Sequence, residues 1–236
     1  MSRLVLISNK HCDANDIVAA ANDYSLTDWV DEHQGVWLGW NGDVQTFAEA
    51  EYRPIDDHQR DGYQFVTFPF SAREFHYHYQ GYYHDGLWPV FHQRPELAHF
   101  SAENYQAYCQ ISQHIAAIAC DYVCPSDLIC VDDYQLLPCG AALKQQGLLN
   151  PCGFFFALPF PSVPLLKTIP QHRELMASLF YYDLIGFRSL ADVNNFHHYL
   201  ATEYAVERLP DNQLQVDGHI FTTAIFPDAV HASRVC

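Results

Sequence analysis

The sequence predicts an α/β fold: a Rossmann-like, mainly parallel sheet with helices on both faces. Short apolar runs alternate with longer amphipathic segments along the 236 residues, which is typical of repeated strand–helix units. Some runs, such as 153–156, are apolar almost throughout, as expected for a parallel strand that is covered on both faces. The run 128–131 ends abruptly in Asp132 and Asp133. Ligands of open α/β sheets lie at such carboxyl ends of strands.

Composition limits the classes of function. The 28 acidic and 12 basic residues give a formal charge of −16, which repels nucleic acid and anionic membranes, so we expect neither as a partner. A hydrophobic content of 49% excludes a disordered chain, and we expect one domain over residues 1–236. The longest apolar run, 152–161, is too short to span a bilayer, and no secretory signal is visible. We therefore expect a cytoplasmic protein whose eight cysteines are reduced thiols.

The first elements in chain order are strands. Apolar or alternating patterns predict strands at residues 3–8, 36–40 and 63–68. Asn41 and Gly42 predict a turn after the second strand. The polar segment 43–62 predicts a weak strand within surface loops.

An unusual segment, residues 71–83, is rich in tyrosine, histidine and phenylalanine. As a helix it would carry an aromatic stripe made of Phe75, His78, Tyr79 and Tyr82. His76, His78 and His84 could suggest a metal, but the sequence fixes no acidic third ligand. We therefore expect surface or interface histidines and no bound metal.

Helix and strand signals alternate through the rest of the chain. Ser101 is a predicted N-cap, and residues 189–192 fit a capping box. We expect helices at 102–122, 135–147, 171–180 and 189–201, and strands at 128–132, 153–156, 182–187 and 220–227.

Six segments carry a family resemblance. Residues 131–138 read Val-Asp-Asp-Tyr-Gln-Leu-Leu-Pro, which is similar to the His-Asp-Tyr-His-Leu-Leu-Pro segment of trehalose-6-phosphate synthases. Those enzymes are retaining glycosyltransferases of the two-domain GT-B type. The other matching segments, in the family's order, are 4–10, 37–40, 87–92, 153–161 and 182–187. The resemblance covers nearly the whole chain but only the N-terminal half of the family's length. It implies the acceptor-side domain, and we expect the C-terminal donor-binding domain to be absent.

The resemblance also implies a pocket for an acceptor sugar phosphate. Lys10 stands where the family has an arginine that holds phosphate, and lysine keeps the charge without the bidentate fork. Tyr79 precedes Trp88 by nine residues, as the family's sugar-contacting tyrosine does. We expect a vestigial, weakly binding pocket that needs no cofactor. Its predicted residues are Lys10, Trp40, Tyr79, Trp88, Asp133 and Tyr134.

Two departures from the family pattern concern the chemistry. The family has a Gly-Gly loop that approaches the donor phosphate, whereas no glycine lies between Met1 and Gly35. The family's histidine at the end of the central strand is replaced by Ala157, which can neither donate a hydrogen bond nor stabilise charge. We therefore assign no catalytic residue and expect the isolated chain to lack synthase activity.

Three functions remain open. The chain could be a degenerate relative that acts as a binding, regulatory or assembly protein. Alternatively, it could be the acceptor-binding half of a split glycosyltransferase whose donor domain is a separate chain. The third reading is that Asp132 and Asp133 support a different reaction, with one acid kept protonated by the other, although acids at strand ends also simply cap helices.

An assembly is expected on the same grounds. Without a second domain, an aromatic cleft face would meet solvent. We expect a homo-oligomer or a second protein chain to cover it. The residues predicted on that face are Trp40, Tyr79, Trp88 and Phe160.

Overall fold

The computed structural model of the chain describes residues 2–9, 30, 32–46, 55–60 and 62–227. Within these residues, ten strands form one sheet. They are β1 (Leu4–Ser8), β2 (Val36–Gln45), β3 (Asp56–Arg60), β4 (Tyr63–Ser71), β5 (Leu128–Asp132), β6 (Cys152–Phe156), β7 (Leu184–Phe187), β8 (Val206–Arg208), β9 (Gln213–Val216) and β10 (His219–Ile225).

The strand order confirms the predicted Rossmann-like sheet. It runs β3-β4-β2-β1-β5-β6-β7-β10-β9-β8, and the seven strands from β4 to β10 pair in parallel. Only the outer strands β3, β9 and β8 pair antiparallel. Because the parallel strands share one direction, their carboxyl ends lie along one edge of the sheet, which we call the carboxyl edge.

The predicted turn at Asn41 and Gly42 is wrong. β2 continues through both residues to Gln45, with a register shift against β4 between Trp40 and Val44. Gly42 has a φ of 86°, so the glycine serves an irregularity within the strand rather than a hairpin.

Helices occur in the predicted segments, with different ends, whereas the short helices Trp88–Phe91 and Val163–Leu166 were not predicted. Ser101 and Ser189 are N-caps, as predicted, and accept from the backbone N–H groups of Asn104 and Asp192. The predicted helix 135–147 instead begins as a 3-10 turn, Tyr134–Leu136. The helices are α1 (Ala72–Glu74), π1 (Phe75–Leu87), α2 (Trp88–Phe91), α3 (Ala102–Ala119), α4 (Cys139–Gln145), α5 (Val163–Leu166), α6 (His172–Ala177) and α7 (Leu190–Glu203).

The aromatic segment forms a π-helix instead of the predicted α-helix. Its buried residues are His78, Tyr82, Gly86 and Leu87, and a π-helix closes i→i+5 hydrogen bonds instead of the i→i+4 bonds of an α-helix. A Cβ on Gly86 would approach the Phe100 ring to 2.8 Å. The missing side chain therefore lets π1 pack closely against the segment that leads into α3.

Six of the eight cysteines lie in the part of the chain that the structure describes. Six cysteines are free thiols, whereas Cys12 and Cys236 lie outside the described residues. Burial raises the pKa of Cys130 and Cys139 to about 12, which keeps both thiols protonated. In the described part of the chain, no helix is both long enough and apolar enough to cross a membrane.

Candidate functional site

Four neighbouring parallel strands bring the chemically interesting residues to the carboxyl edge. Strand pairing aligns Ser8 with Asp132 and Asp132 with Phe155. It also aligns Phe156 with Phe187. The next residue of each strand therefore continues the edge in the order β1, β5, β6 and β7. These residues are Asn9, Asp133, Ala157 and Arg188.

Asp133 has a strained backbone and a fully engaged carboxylate. Its φ of 88° and ψ of 131° lie in a region that costs a non-glycine residue about 1–3 kcal/mol. One carboxylate oxygen accepts from the backbone N–H of Gln135 at 3.1 Å, and the other accepts from the Gln135 side-chain amide at 3.2 Å. Asp133 thus caps the 3-10 turn that follows it, as the helix-capping alternative requires.

Asp132, the last residue of β5, is buried with 1% exposure. The pair of acids is therefore asymmetric: Asp132 continues strand geometry, whereas Asp133 has left it. Both lie at the predicted edge of the sheet. A reaction that uses the two as a pair remains an untested alternative.

Tyr134 is held by its backbone and by its ring. Its carbonyl accepts a hydrogen bond from the hydroxyl of Tyr108, and that hydroxyl accepts from the backbone N–H of Leu137 at 3.2 Å. The Tyr134 ring stacks on Phe91 at 4.7 Å and lies 5.1 Å from the Tyr83 ring. Burial raises the pKa of Tyr134, and it raises that of Tyr83 to about 12. Both phenols are therefore neutral hydrogen-bonding groups at physiological pH.

Trp40 and Tyr79 lie together, as predicted. Their ring centroids are 5.0 Å apart, and Tyr79 lies 5.5 Å from Tyr83. Tyr83 thereby joins Trp40 and Tyr79 to Tyr134 in one aromatic row. The predicted pocket omits Tyr83 because its residues follow from the family resemblance, which did not point to Tyr83.

Two residues expected to face solvent are buried, so that part of the prediction was wrong. Trp40 is 4% exposed because it stacks on Phe70 at 4.5 Å, and its indole N–H donates to the carbonyl of Asp43 at 2.8 Å. Phe160 is 2% exposed and packs edge-on against Phe156 and Phe196. The aromatic surface at the carboxyl edge is therefore smaller than expected.

Trp88 is the predicted pocket residue that is most exposed, at 39%. In the described residues its ring stacks between His84 at 6.0 Å and His92 at 4.0 Å. This stack is separate from the aromatic row of Trp40, Tyr79, Tyr83 and Tyr134. Lys10, the predicted phosphate ligand, lies outside the described residues.

The histidines of residues 71–84 occupy different environments. His78 is fully buried, and burial lowers its pKa to about 3, so its imidazole is neutral. His84 is exposed and lies 3.0 Å from the carboxylate of Asp85. Among the described residues, no group of three His, Cys, Asp or Glu side chains could hold a metal ion.

Ala157 stands at the carboxyl end of β6, between the edge positions of Asp133 and Arg188. Its carbonyl accepts a hydrogen bond from the Arg188 guanidinium, with 2.9 Å between Nη1 and O. The turn that follows is fixed by α7: the N–H of Phe160 donates to Asp192 at 2.8 Å, and Asn195 donates to the carbonyl of Phe160 at 3.0 Å. The turn is thus well ordered, but Ala157 offers no functional group.

The sequence model of Glycosyltransferase family 20 matches residues 7–236. The chain belongs to this family. It is 30% identical over 237 residues to a trehalose-6-phosphate synthase of Sodalis glossinidius (strain morsitans), and the alignment covers 100% of this chain and 50% of that protein. It is 28% identical over 237 residues to the synthase of Klebsiella pneumoniae subsp. pneumoniae, again with 100% of this chain and 49% of that protein covered.

Solved structures of the same enzymes share the fold. An alpha,alpha-trehalose-phosphate synthase (UDP-forming) from Burkholderia vietnamiensis superposes with a TM-score of 0.89 at 32% identity, over 96% of this chain and 48% of that one. A synthase from Burkholderia xenovorans in complex with glucose-6-phosphate gives a TM-score of 0.85 at 29% identity, over 96% of this chain and 49% of that one. The resemblance and the fold of an N-terminal GT-B half are thereby confirmed. The chain spans about half the length of the relatives that it matches.

Proposed function

We propose that this member of glycosyltransferase family 20 binds a sugar phosphate at the carboxyl edge without transferring glucose to it. It would act as a binding, regulatory or assembly protein. The proposal depends mainly on the residue at the carboxyl end of β6. Ala157 places only a methyl group there, between the edge positions of Asp133 and Arg188. A transferase needs a charge-stabilising donor near the reacting sugar, and losing one such donor costs about a hundredfold or more in rate.

Binding groups persist around that position. Asp133 keeps its carboxylate at the edge at a cost in backbone strain, and strained residues concentrate at ligand sites. The rings of Tyr79, Tyr83 and Tyr134 form an aromatic row beside it. Aromatic walls with a few polar groups are what small-molecule pockets provide.

Glucose 6-phosphate is the ligand to test first, because a Burkholderia xenovorans relative was solved in complex with glucose-6-phosphate. The chain's formal charge of −16 should keep the affinity for this anion low. Calorimetry on the purified 236-residue chain should give weak, saturable heat with glucose 6-phosphate. The affinity should fall in Lys10→Ala, since lysine supplies a cation in the predicted pocket.

The same purified chain should release no UDP when UDP-glucose is added with glucose 6-phosphate. Turnover that Asp133→Ala abolishes would refute the proposal, because it would locate transferase chemistry at this edge. Identical null titrations of the wild type and Lys10→Ala up to millimolar ligand would remove the binding role.

A second candidate is the acceptor half of a split transferase that works with a separate donor-domain chain. The strained conformation of Asp133 favours it, since strain is kept where a site is still used. Light scattering and recovery of the chain from its own cells would separate the two candidates. A partner that restores UDP release supports the split enzyme, whereas a homo-oligomer without turnover supports the binding protein.

A further inference from the structure

A small cavity lies at the end of the sheet that β8 forms, three strands from β7. Its volume is about 180 Å³. We propose that it binds a small organic acid, with the carboxylate at Arg208 and a short apolar chain inside the cavity. This inference does not rest on the function proposed above. The residues that line the cavity come from α7, β8 and β9 and are His197, Leu200, Ala201, Val206, Arg208 and Leu214.

Strand pairing places Arg208 on the inner face of β8. Arg208 is paired with Leu214, and Val206 is paired with Val216. Directly paired residues lie on the same face of a sheet, and Leu214 and Val216 are both buried. A strand with an apolar inner face and a polar outer face would carry an apolar residue at position 208. The arginine is therefore an exception to this pattern, and it lies beside the cavity.

The charge of Arg208 is available to an anion. The residue is exposed, and it has no hydrogen-bonding or ion-pairing partner among the residues that the structure describes. The neighbouring acid, Glu207, is paired with Gln215 and so lies on the opposite face of β8. In a chain of charge −16, a cation beside a cavity gives that cavity a local preference for anions. The planar fork of a guanidinium matches a carboxylate in particular.

The rest of the lining suits a short apolar chain. Leu200 and Leu214 are buried, and Val206 is half-buried, so the walls are mainly aliphatic. A cavity of about 150 Å³ with apolar walls holds one benzene molecule, and this cavity of about 180 Å³ is only slightly larger. It therefore accommodates a carboxylic acid with a short chain and is too small for a sugar phosphate or a nucleotide.

His197 adds one polar group to the lining. Its Nε2 lies 2.9 Å from the hydroxyl oxygen of Thr223, which connects α7 to β10 beside the cavity. Burial lowers the pKa of the imidazole, and the charge of Arg208 lowers it further, so His197 is mainly neutral at physiological pH. Arg208 is therefore the cation of the cavity, and His197 is a neighbouring hydrogen-bonding group.

An inward-pointing charge on an outer strand has a competing explanation. Such charges discourage the edge of a sheet from pairing with another chain, and β8 is the outermost strand on its side. If that were the whole role of Arg208, its loss would change self-association and would leave the binding of small acids unchanged.

An NMR titration of the purified 236-residue chain with butyrate tests the proposal. Butyrate carries a carboxylate on a propyl chain, and it should shift the His197 ring signals saturably at millimolar concentration. Those signals are assigned by their loss in His197→Gln. Butyramide has the same shape without the charge and should bind about tenfold more weakly or worse. Acetate, which lacks two methylenes of the chain, should also bind about tenfold more weakly.

Three variants separate the charge from the cavity. Arg208→Gln should weaken butyrate about tenfold or more, since it removes the charged hydrogen-bonding partner. Arg94→Gln removes the same charge from an exposed pair with Glu96 and should leave the affinity within about twofold. Ala201→Phe changes an exposed residue of the lining and keeps Arg208, so it should abolish binding by filling the cavity.

Several results would overturn the proposal. Equal affinities for butyrate and butyramide, or for wild type and a folded Arg208→Gln, would show that the guanidinium does not recognise a carboxylate. Unchanged binding in Ala201→Phe, or acetate binding as tightly as butyrate, would place the acid outside the cavity. A wild-type chain without saturable shifts, together with self-association of Arg208→Gln in light scattering, would establish the edge-strand explanation instead.

Discussion

At the amino end of β5, Asp127 is held by partners from distant parts of the chain, whereas at the carboxyl end Asp133 has a strained backbone and caps the turn that follows it. Arg3 donates to both oxygens of Asp127, at 3.2 and 2.7 Å, and the N–H of Cys124 donates at 2.8 Å. Asn150 donates to the Asp127 carbonyl at 2.9 Å. By contrast, the hydrogen bonds from Gln135 to both oxygens of Asp133 come from a residue only two positions away.

This difference separates stabilisation from ligand binding on a single strand. Asp127 accepts hydrogen bonds from Arg3, which lies far away in the sequence, so it joins the start of β1 to the loop before β5 and contributes to stability. An acid that is kept in a costly conformation at the carboxyl edge contributes little to stability, which is the pattern expected of a binding site. The predictions below test that separation, from the largest effect to the smallest.

Asp127→Ala should lower the free energy of unfolding by roughly 3 kcal/mol, because it leaves the Arg3 guanidinium and the Cys124 N–H without their acceptor. Urea unfolding measures the change. Glu96→Gln, which disrupts the exposed pair with Arg94, is the control and should leave the urea midpoint unchanged. An equal loss of unfolding free energy in Asp127→Ala and Glu96→Gln would contradict a special stabilising role for Asp127 at the amino end of β5.

Part of that stability should depend on pH. Burial is the largest single influence and raises the pKa of Asp127, but the hydrogen bonds from Arg3 and from the Cys124 N–H, together with the charge of Arg3, outweigh it, so the pKa lies below its ordinary value of 3.8. The contribution is therefore complete above pH 3.8 and is lost as the pH falls through the folded-state pKa. The stability difference between wild type and Asp127→Asn should shrink over that acidic range. A difference that stays constant down to full acid unfolding would contradict this assignment.

At the carboxyl end, two substitutions of Asp133 should change stability in opposite directions. Asp133→Gly removes the strain of a φ of 88° and should stabilise the fold by about 1 kcal/mol, since glycine also serves tolerably as a cap. Asp133→Ala keeps the strain and loses the cap, so it should destabilise by about 1 kcal/mol. Thermal unfolding of both variants decides the point. Destabilisation by glycine as large as by alanine would show that Asp133 is structural.

Ala157→His should have the smallest effect on stability, within about 0.5 kcal/mol, because position 157 is partly exposed at the edge. It restores the residue type that the family resemblance implies there. A large loss of stability would show that the space beside Ala157 is filled by the protein itself.

Much of the fold could be predicted because its signals are local. Apolar runs marked β5, β6 and β7, and serine caps marked α3 and α7. The π-helix could not be predicted, because residues four positions apart, such as His78, Tyr82 and Gly86, share a face in an α-helix as well.

The positions of the predicted pocket residues could be expected from the sequence more readily than their burial. Asp133, Tyr134 and Tyr79 lie near the edge as expected, while Trp40 is buried because β2 continues past it and packs its ring on Phe70. Arg188 gave no signal in the sequence, since its relation to Ala157 depends on the pairing of β6 with β7.

The central claim is that the carboxyl edge binds a sugar phosphate without transferring glucose. Phosphorus NMR of the purified chain with UDP-glucose and glucose 6-phosphate tests both halves in one sample. The account predicts a saturable change in the glucose 6-phosphate resonance and no appearance of UDP. Growth of a UDP resonance that disappears in Asp133→Ala, or an unperturbed glucose 6-phosphate resonance at saturating protein, would contradict it.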